Sequence, residues 1–201
     1  MIKNSIIIYD DQDSSLGLYF KNFADHVQCF IDMKSNIKKT LINSTKCNEV
    51  YLDEVEFPKH TEKTLFILCS HGSETRYLKN GIIPFIENTI NCDICLNEGL
   101  VYSIACSTGK QFGINITQKN GSFYGYNAPI EILPSHQKIS IECDGYGLYK
   151  IINGSTLEEA RLATQEKYND YIDKTSMLDA SKLRIARDSI VIHGHTTKKF
   201  F

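Results

Sequence analysis

Nowhere in the 201 residues does an apolar run approach the roughly 18 residues of a membrane span. The first cluster, Ile6-Ile7-Ile8 in "MIKNSIIIYDD", is closed by Asp10 and Asp11, so it is not the apolar core of a secretory leader. A basic surplus is missing too. The 22 Lys and Arg are outnumbered by 24 Asp and Glu, the net charge is −2 and the pI is near 6.3. That balance leaves no electrostatic footprint for nucleic acid. No internal repeat, low-complexity tract or long linker interrupts the chain. These absences lead to the expectation of a soluble, cytoplasmic protein with no membrane or nucleic-acid partner. In such a compartment the seven cysteines, an odd number, are expected as reduced thiols. The sequons at Asn43, Asn115 and Asn153 then carry no meaning.

What is present is ordinary globular composition, 42% hydrophobic and 23% charged. The length suits a single domain over 1–201, able to bury about 70% of its unfolded surface. Residues 5–10, "SIIIYD", read as a buried strand, 14–25 as a helix, and 26–31, "HVQCFI", as a second strand. Met33, Ile37 and Leu41 fall at helical spacing over 32–43. Alternation over 49–57 reads as an edge strand or hairpin arm. "TLFILCS" (64–70) and "LVYSIAC" (100–106) are apolar on both faces, as central strands covered on two sides must be. Pro84 opens a predicted helix over 84–96. A helix is expected over 107–116, and strands over 121–129 and 138–143. Residues 155–172 carry the clearest helix, with Ser155 and Glu158 as a capping box. A helix over 178–188 and a strand over 189–195 complete the chain. Alternating strands and helices imply an α/β fold, a mainly parallel central sheet with helices on both faces.

In such sheets ligands bind outside the carboxyl ends of the strands. His71 and Cys106 stand at that position, 35 residues apart (106 − 71), each closing a two-faced strand. A free thiol is only a few per cent thiolate at neutral pH, and a neighbouring imidazole activates it for acyl transfer. Gly72, lacking a Cβ, and the backbone N–H of Cys106 suit an oxyanion hole. Ala105 keeps space open beside the sulfur.

The pair "Ser70-His71-Gly72" and "Ala105-Cys106-Ser107-Thr108-Gly109", each after an apolar run, resembles the caspase-like cysteine peptidases: caspases, metacaspases and the bacterial CHAT proteases. "SIACSTGKQFG" is closest to the CHAT type, and the likeness spans roughly residues 5–130. The resemblance implies a cysteine endopeptidase with a caspase-like α/β/α sandwich. Cys106 would be the nucleophile, His71 the base and acid, and Gly72 and Cys106 the oxyanion donors. No metal or organic cofactor is implied. The partners would be a protein or peptide substrate and an activator or dimer partner, in bacterial stress or antiviral defence. The separation of 35 is shorter than the roughly 50 of caspases, which points to a trimmed connection filled by the helix after Pro84. The specificity position two before the nucleophile is Ile104, where caspases carry glutamine and metacaspases an acid. Asp10, Asp11 and Asp13 could attract a basic substrate side chain, or form a solvated turn. Tyr126 and Asn127 could line the groove by backbone pairing, or close a plain turn. A caspase-like fold retained as an inactive regulatory or binding module is the main rival reading, and a redox protein using Cys92 and Cys95 is a second.

The remaining motifs are weaker. Cys29 and Cys69 read as core thiols on strands. Cys92-x-x-Cys95 has no second ligand pair for zinc and falls late in a helical pattern, so it reads as structural, with a reversible disulfide left open. His193 and His195 would share one strand face but have no carboxylate motif beside them. "IACSTGKQ" lacks the first glycine and the Ser/Thr of a phosphate-binding loop.

Overall fold

In the computed structural model, which describes residues 1–132 and 137–201, the chain runs through nine strands and six α-helices among the described residues. The strands are β1 (Asn4–Tyr9), β2 (Lys38–Ile42), β3 (Thr64–Cys69), β4 (His71–Gly72), β5 (Arg76–Lys79), β6 (Ile83–Glu87), β7 (Leu100–Ile104), β8 (Ser122–Tyr126) and β9 (Ile190–His193). The helices are α1 (Gly17–Asp32), α2 (Asp93–Leu96), α3 (Gln111–Gln118), α4 (Gln137–Ile152), α5 (Leu157–Ile172) and α6 (Met177–Asp188). Six strands form the central sheet in the order β2-β1-β3-β7-β8-β9, parallel except for β9, which runs antiparallel to β8. Strands β4, β5 and β6 make a separate small antiparallel sheet.

The two-faced strands divide their side chains by the pleat. Ile7, Leu65, Ile67, Leu100, Tyr102 and Tyr124 join a core with α1, α4, α5 and α6. Ile6, Ile8, Phe66, Leu68, Val101 and Phe123 join a second core with α2, α3 and the small sheet. No helix among the described residues is long and apolar enough to cross a membrane.

The first core is built around a carboxylate. Asp144 on α4 is buried and accepts the hydroxyls of Tyr19, Tyr126 and Tyr168, while Tyr102 donates to its backbone carbonyl. Burial raises the Asp144 carboxyl above the usual range against the lowering effect of those hydroxyls. It also pushes the three tyrosines well above theirs, reinforced by the carboxylate. One side chain thus ties α1, α4, α5 and β8 together.

Five expected elements differ. Residues 26–31 are the second half of α1: Phe20, Phe23, Ala24, Val27 and Ile31 form one buried helical stripe, and a six-residue window caught only its alternating part. Cys29 is therefore an exposed helix residue, not a core strand thiol, whereas Cys69 is buried on β3. Within 32–43 lies β2, an edge strand beside β1 with Leu41 exposed. Tyr51–Glu56 is a single π-helical segment rather than a hairpin arm. Pro84 sits in β6, beside an irregularity in its pairing with β5, where a missing N–H is tolerated; only Asp93–Leu96 of that stretch is helical. Residues 138–143 open α4, whose buried positions Ser140, Cys143, Asp144, Gly147, Leu148 and Ile151 follow a helical period. Three of those six are polar or glycine, which hid the stripe. The α5 cap lies one residue later than expected, on Thr156 and Glu159.

Asp144→Ala removes the shared acceptor of three buried hydroxyls, of which only Tyr126 and Tyr168 keep each other, and should cost about 3 kcal/mol, whereas Tyr168→Phe, which leaves two hydroxyls on the carboxylate, should cost about 1 kcal/mol. Urea unfolding of the two variants checks this order.

Candidate active site

Two neighbouring strands deliver the reactive groups. β3 and β7 pair in parallel with Cys69 opposite Ile104. The chain therefore leaves the sheet at Ser70-His71 and at Ala105-Cys106 side by side, on its carboxyl edge. His71 and Gly72 then pair with Leu78 and Tyr77 of β5, so the imidazole is borne on the small sheet. That sheet, rather than a helix after Pro84, fills the short connection between the two motifs. Beyond Cys106 the chain turns sharply. Ser107 has φ of 59°, a left-handed conformation that a residue with a Cβ keeps only where its surroundings impose it. Here Ser107 N–H donates to Ala128 O at 3.1 Å and Gly109 N–H to Tyr126 O at 2.7 Å.

Gly72 joins the two strand ends. A Cβ there would lie 2.8 Å from Ala105 Cβ and from Cys106 O, and 2.9 Å from Thr108 Cγ2. Glycine is thus demanded by the approach of the histidine segment to the cysteine turn. A line of hydroxyls fastens the same junction: Tyr77 donates to Ser103 Oγ at 2.7 Å, Ser103 Oγ and Thr108 Oγ1 lie 2.9 Å apart, and Thr108 donates to Ala105 O at 3.2 Å.

His71 and Cys106 line one narrow cleft with Leu16, Phe20, Ile104 and Ile130. Its free volume is about 20 Å³, room for little more than one water. The Cys106 sulfur is half-buried. Ile130 N–H approaches it at 3.4 Å, and Ile130 O lies 3.6 Å away. One backbone residue therefore offers an acceptor to the thiol and a donor to the thiolate. The imidazole stands edge-on to Phe20, with ring centroids 5.7 Å apart, and its Nε2 is 3.1 Å from Asp13 Oδ2. A carboxylate on Nε2 keeps the proton there and leaves the Nδ1 lone pair free.

Asp13 is the functional candidate that sequence reasoning did not separate from its neighbours. Burial would raise its carboxyl. The Ser15 hydroxyl, the Leu16 and Ser15 N–H groups and the His71 imidazole outweigh burial and hold it down to about 2. Those three hydrogen bonds span 2.7–2.9 Å. Ser15, two residues on, was the available signal, since an aspartate bonding the next turn's N–H groups starts many helices. The other two acids act elsewhere. Asp10 is fully buried and accepts from Ser44 Oγ and Asn80 N–H, both at 2.6 Å, so it is not presented to a basic substrate. Asp11 accepts from Ser44 N–H at 3.1 Å and Asn43 Nδ2 at 3.5 Å, pinning the same loop.

Ile104 lies almost wholly buried in the cleft wall. Tyr126 is buried, with its hydroxyl on Asp144, and offers no side chain to a groove; its carbonyl instead holds Gly109. Asn127 is exposed, its N–H bonded to Ser189 O at 2.9 Å. His193 Nε2 donates to Gly109 O at 2.7 Å, bracing the cysteine turn from behind, and His195 contacts Asn120 Oδ1 at 3.0 Å. Reduced thiols are the default expectation, with a Cys92–Cys95 disulfide left open; Cys92 and Cys95 do form a disulfide, and the other five cysteines are free.

A carboxyl held at about 2 in the folded chain, against 3.8 ordinarily, stabilises the fold by about 2 kcal/mol. The contribution is present above pH ~4 and is lost as pH falls through ~2, because the unfolded chain takes up the proton first. Asp13→Asn should therefore flatten the fall in stability between pH ~4 and ~2, measured by urea unfolding across that range.

No protein-family profile and no curated protein sequence matches the chain. Among solved structures it is similar to the Arg-specific cysteine proteinase gingipain R, with a TM-score of 0.62 at 12% identity, covering 98% of this chain and 47% of that one. It is likewise similar to the complex of the pro- and mature domains of RgpB from Porphyromonas gingivalis, with a TM-score of 0.64, 12% identity and 98% and 48% coverage. The chain thus spans about half the length of these proteins. At this identity the likeness is one of fold: a mostly parallel α/β sheet shared with cysteine proteinases.

Proposed function

We propose that the protein is a cysteine endopeptidase in which Cys106 attacks a peptide carbonyl, His71 carries the proton and Asp13 positions His71. The observation that carries this reading is the carboxylate-held imidazole sharing one cleft with the Cys106 sulfur. His71 Nδ1 takes the thiol proton as the carbon–sulfur bond forms. The oxyanion is received by backbone N–H groups at Gly72 and Cys106. The tetrahedral intermediate collapses, the C–N bond breaks, and the imidazolium protonates the departing amine. Water, deprotonated by the same imidazole, then hydrolyses the thioester and returns the thiol. Asp13 stays ionised throughout and offsets the imidazolium charge.

The cleft walls favour an apolar residue before the scissile bond. Leu16, Phe20, Ile104, Ile130 and Ile132 surround the sulfur, and Asp10 is sealed from it. The arginine preference of gingipain R is therefore not carried over. A cleft of about 20 Å³ must open before it admits a peptide, which suits activation by a partner or a second copy. We read the whole of 1–201 as one peptidase domain acting on a protein target in the cytoplasm. The CHAT-like motif supports a role in bacterial defence.

The test is labelling by peptidyl chloromethyl ketones with leucine or arginine at the reactive end, alone and with cell extract as a source of activator. Cys106 should be modified, with leucine ahead of arginine. His71→Ala should lower the rate by about 10²-fold or more, and Asp13→Asn by less. Equal labelling of wild type and His71→Ala under both conditions would leave only the inactive-module reading.

A further inference from the structure

The Cys92–Cys95 pair takes no part in that chemistry, yet it has the parts of a separate site. It lies before β7, near the chain entering β3, at the amino edge of the central sheet and a full strand length from Cys106. An open cavity of about 560 Å³ adjoins it, lined by Phe57, Pro58, His60, Cys92, Ile94 and Lys119. The two sulfurs differ in access: Cys92 is half-buried and Cys95 fully buried. Ile94, between them, is 62% exposed, an apolar residue presented beside the reachable sulfur.

Two further details suit both oxidation states. His60 O lies 3.3 Å from Cys95 Sγ and 3.9 Å from Cys92 Sγ, and Phe57 O lies 3.8 Å from Cys92 Sγ. A disulfide sulfur has no hydrogen to donate, whereas a thiol has one. The backbone around the pair therefore already holds acceptors for two S–H groups. His60 itself is buried; its Nε2 meets Glu56 Oε1 at 3.0 Å, and its Nδ1 has no hydrogen-bond partner. With the proton held on Nε2 by the carboxylate, Nδ1 keeps its lone pair, sealed from solvent behind the cavity wall.

We propose that Cys92–Cys95 is a redox-active disulfide that exchanges with a dithiol, free or carried by a protein that docks over the cavity. An incoming thiol loses its proton to solvent, and its thiolate attacks Cys92 Sγ. That attack forms a mixed disulfide and breaks the bond to Cys95. The Cys95 thiolate takes up a proton and, as a thiol, donates it to the His60 carbonyl. The second thiol of the reductant loses its proton and attacks its own sulfur in the mixed disulfide. Cys92 leaves as a thiolate and is protonated. The protein disulfide gains two electrons and two protons, and the dithiol becomes a disulfide. Cys92 is the attacked sulfur and Cys95 the buried leaving group.

The experiment uses full-length Cys106→Ala protein, so its result is independent of the peptidase reading. Reduced and oxidised dithiothreitol in varied ratio, and separately thioredoxin as a protein dithiol, are equilibrated with the folded chain, and free thiols are counted by maleimide mass shift. Two thiols should appear and disappear together while near-ultraviolet circular dichroism stays native. In a Cys95→Ser variant, oxidised glutathione should add at Cys92, located by peptide mapping; in Cys92→Ser it should not add at Cys95. Response to thioredoxin as well as dithiothreitol assigns a protein reductant, and response to dithiothreitol alone a small one. Reduction only upon unfolding, or glutathione addition at Cys95 as readily as at Cys92, would overturn the proposal.

Discussion

Everything at the candidate site rests on the parallel pairing of β3 with β7. A parallel register aligns strand ends that lie far apart in sequence. With Cys69 opposite Ile104, the segments that carry His71 and Cys106 leave the sheet side by side. A one-residue slip would turn every side chain of β7 to the other face of the sheet, and both faces of this strand are packed against different cores. The buried pleat therefore fixes where Cys106 emerges. The Gly72 contact and the Tyr77–Ser103–Thr108 hydroxyls then set how closely the histidine segment can approach it.

Charge at the site is arranged by the same economy. Three aspartates crowd the end of β1, and the loop gives each a different fate. Asp10 and Asp11 are spent on the Ser44 and Asn80 backbone and side chains, which lock the loop. Asp13 is fed by Ser15 and Leu16, just ahead of α1, and keeps one oxygen for His71. The arrangement makes Asp13 more acidic and orients the imidazole at once, because the Ser15 and Leu16 hydrogen bonds favour the carboxylate form. In the helix-packed core beside the site Asp144 does the opposite. It is buried so deeply that its hydroxyl partners do not keep it at the ordinary carboxylate range, and its role is to tie helices to the sheet.

Much of the frame was legible in the sequence because its strands are monotonous. β1, β3 and β7 are apolar on both faces, a pattern that only a covered, mainly parallel sheet explains. Their terminal His-Gly and Ala-Cys stand out against it. The flanking elements were harder to read. The buried stripe of α4 contains serine, aspartate and glycine, so hydrophobic periodicity missed it. The alternating half of α1 imitated a strand. Pro84, favourable at a helix start, occupies an irregular position of β6 where its missing N–H is not needed.

The sequence by itself determined that a sulfur and an imidazole close two central strands, since strand period and burial are local properties of the residues. Only the tertiary structure decided which of three acids meets His71, that Tyr126 turns into the core, and that Cys92 bonds Cys95 beside a cavity. Those outcomes depend on hydrogen bonds and contacts between segments distant in the chain, such as Ser44 with Asp10 or Asp144 with Tyr19. No local pattern encodes them, because each partner is defined only once the sheet has brought it within reach.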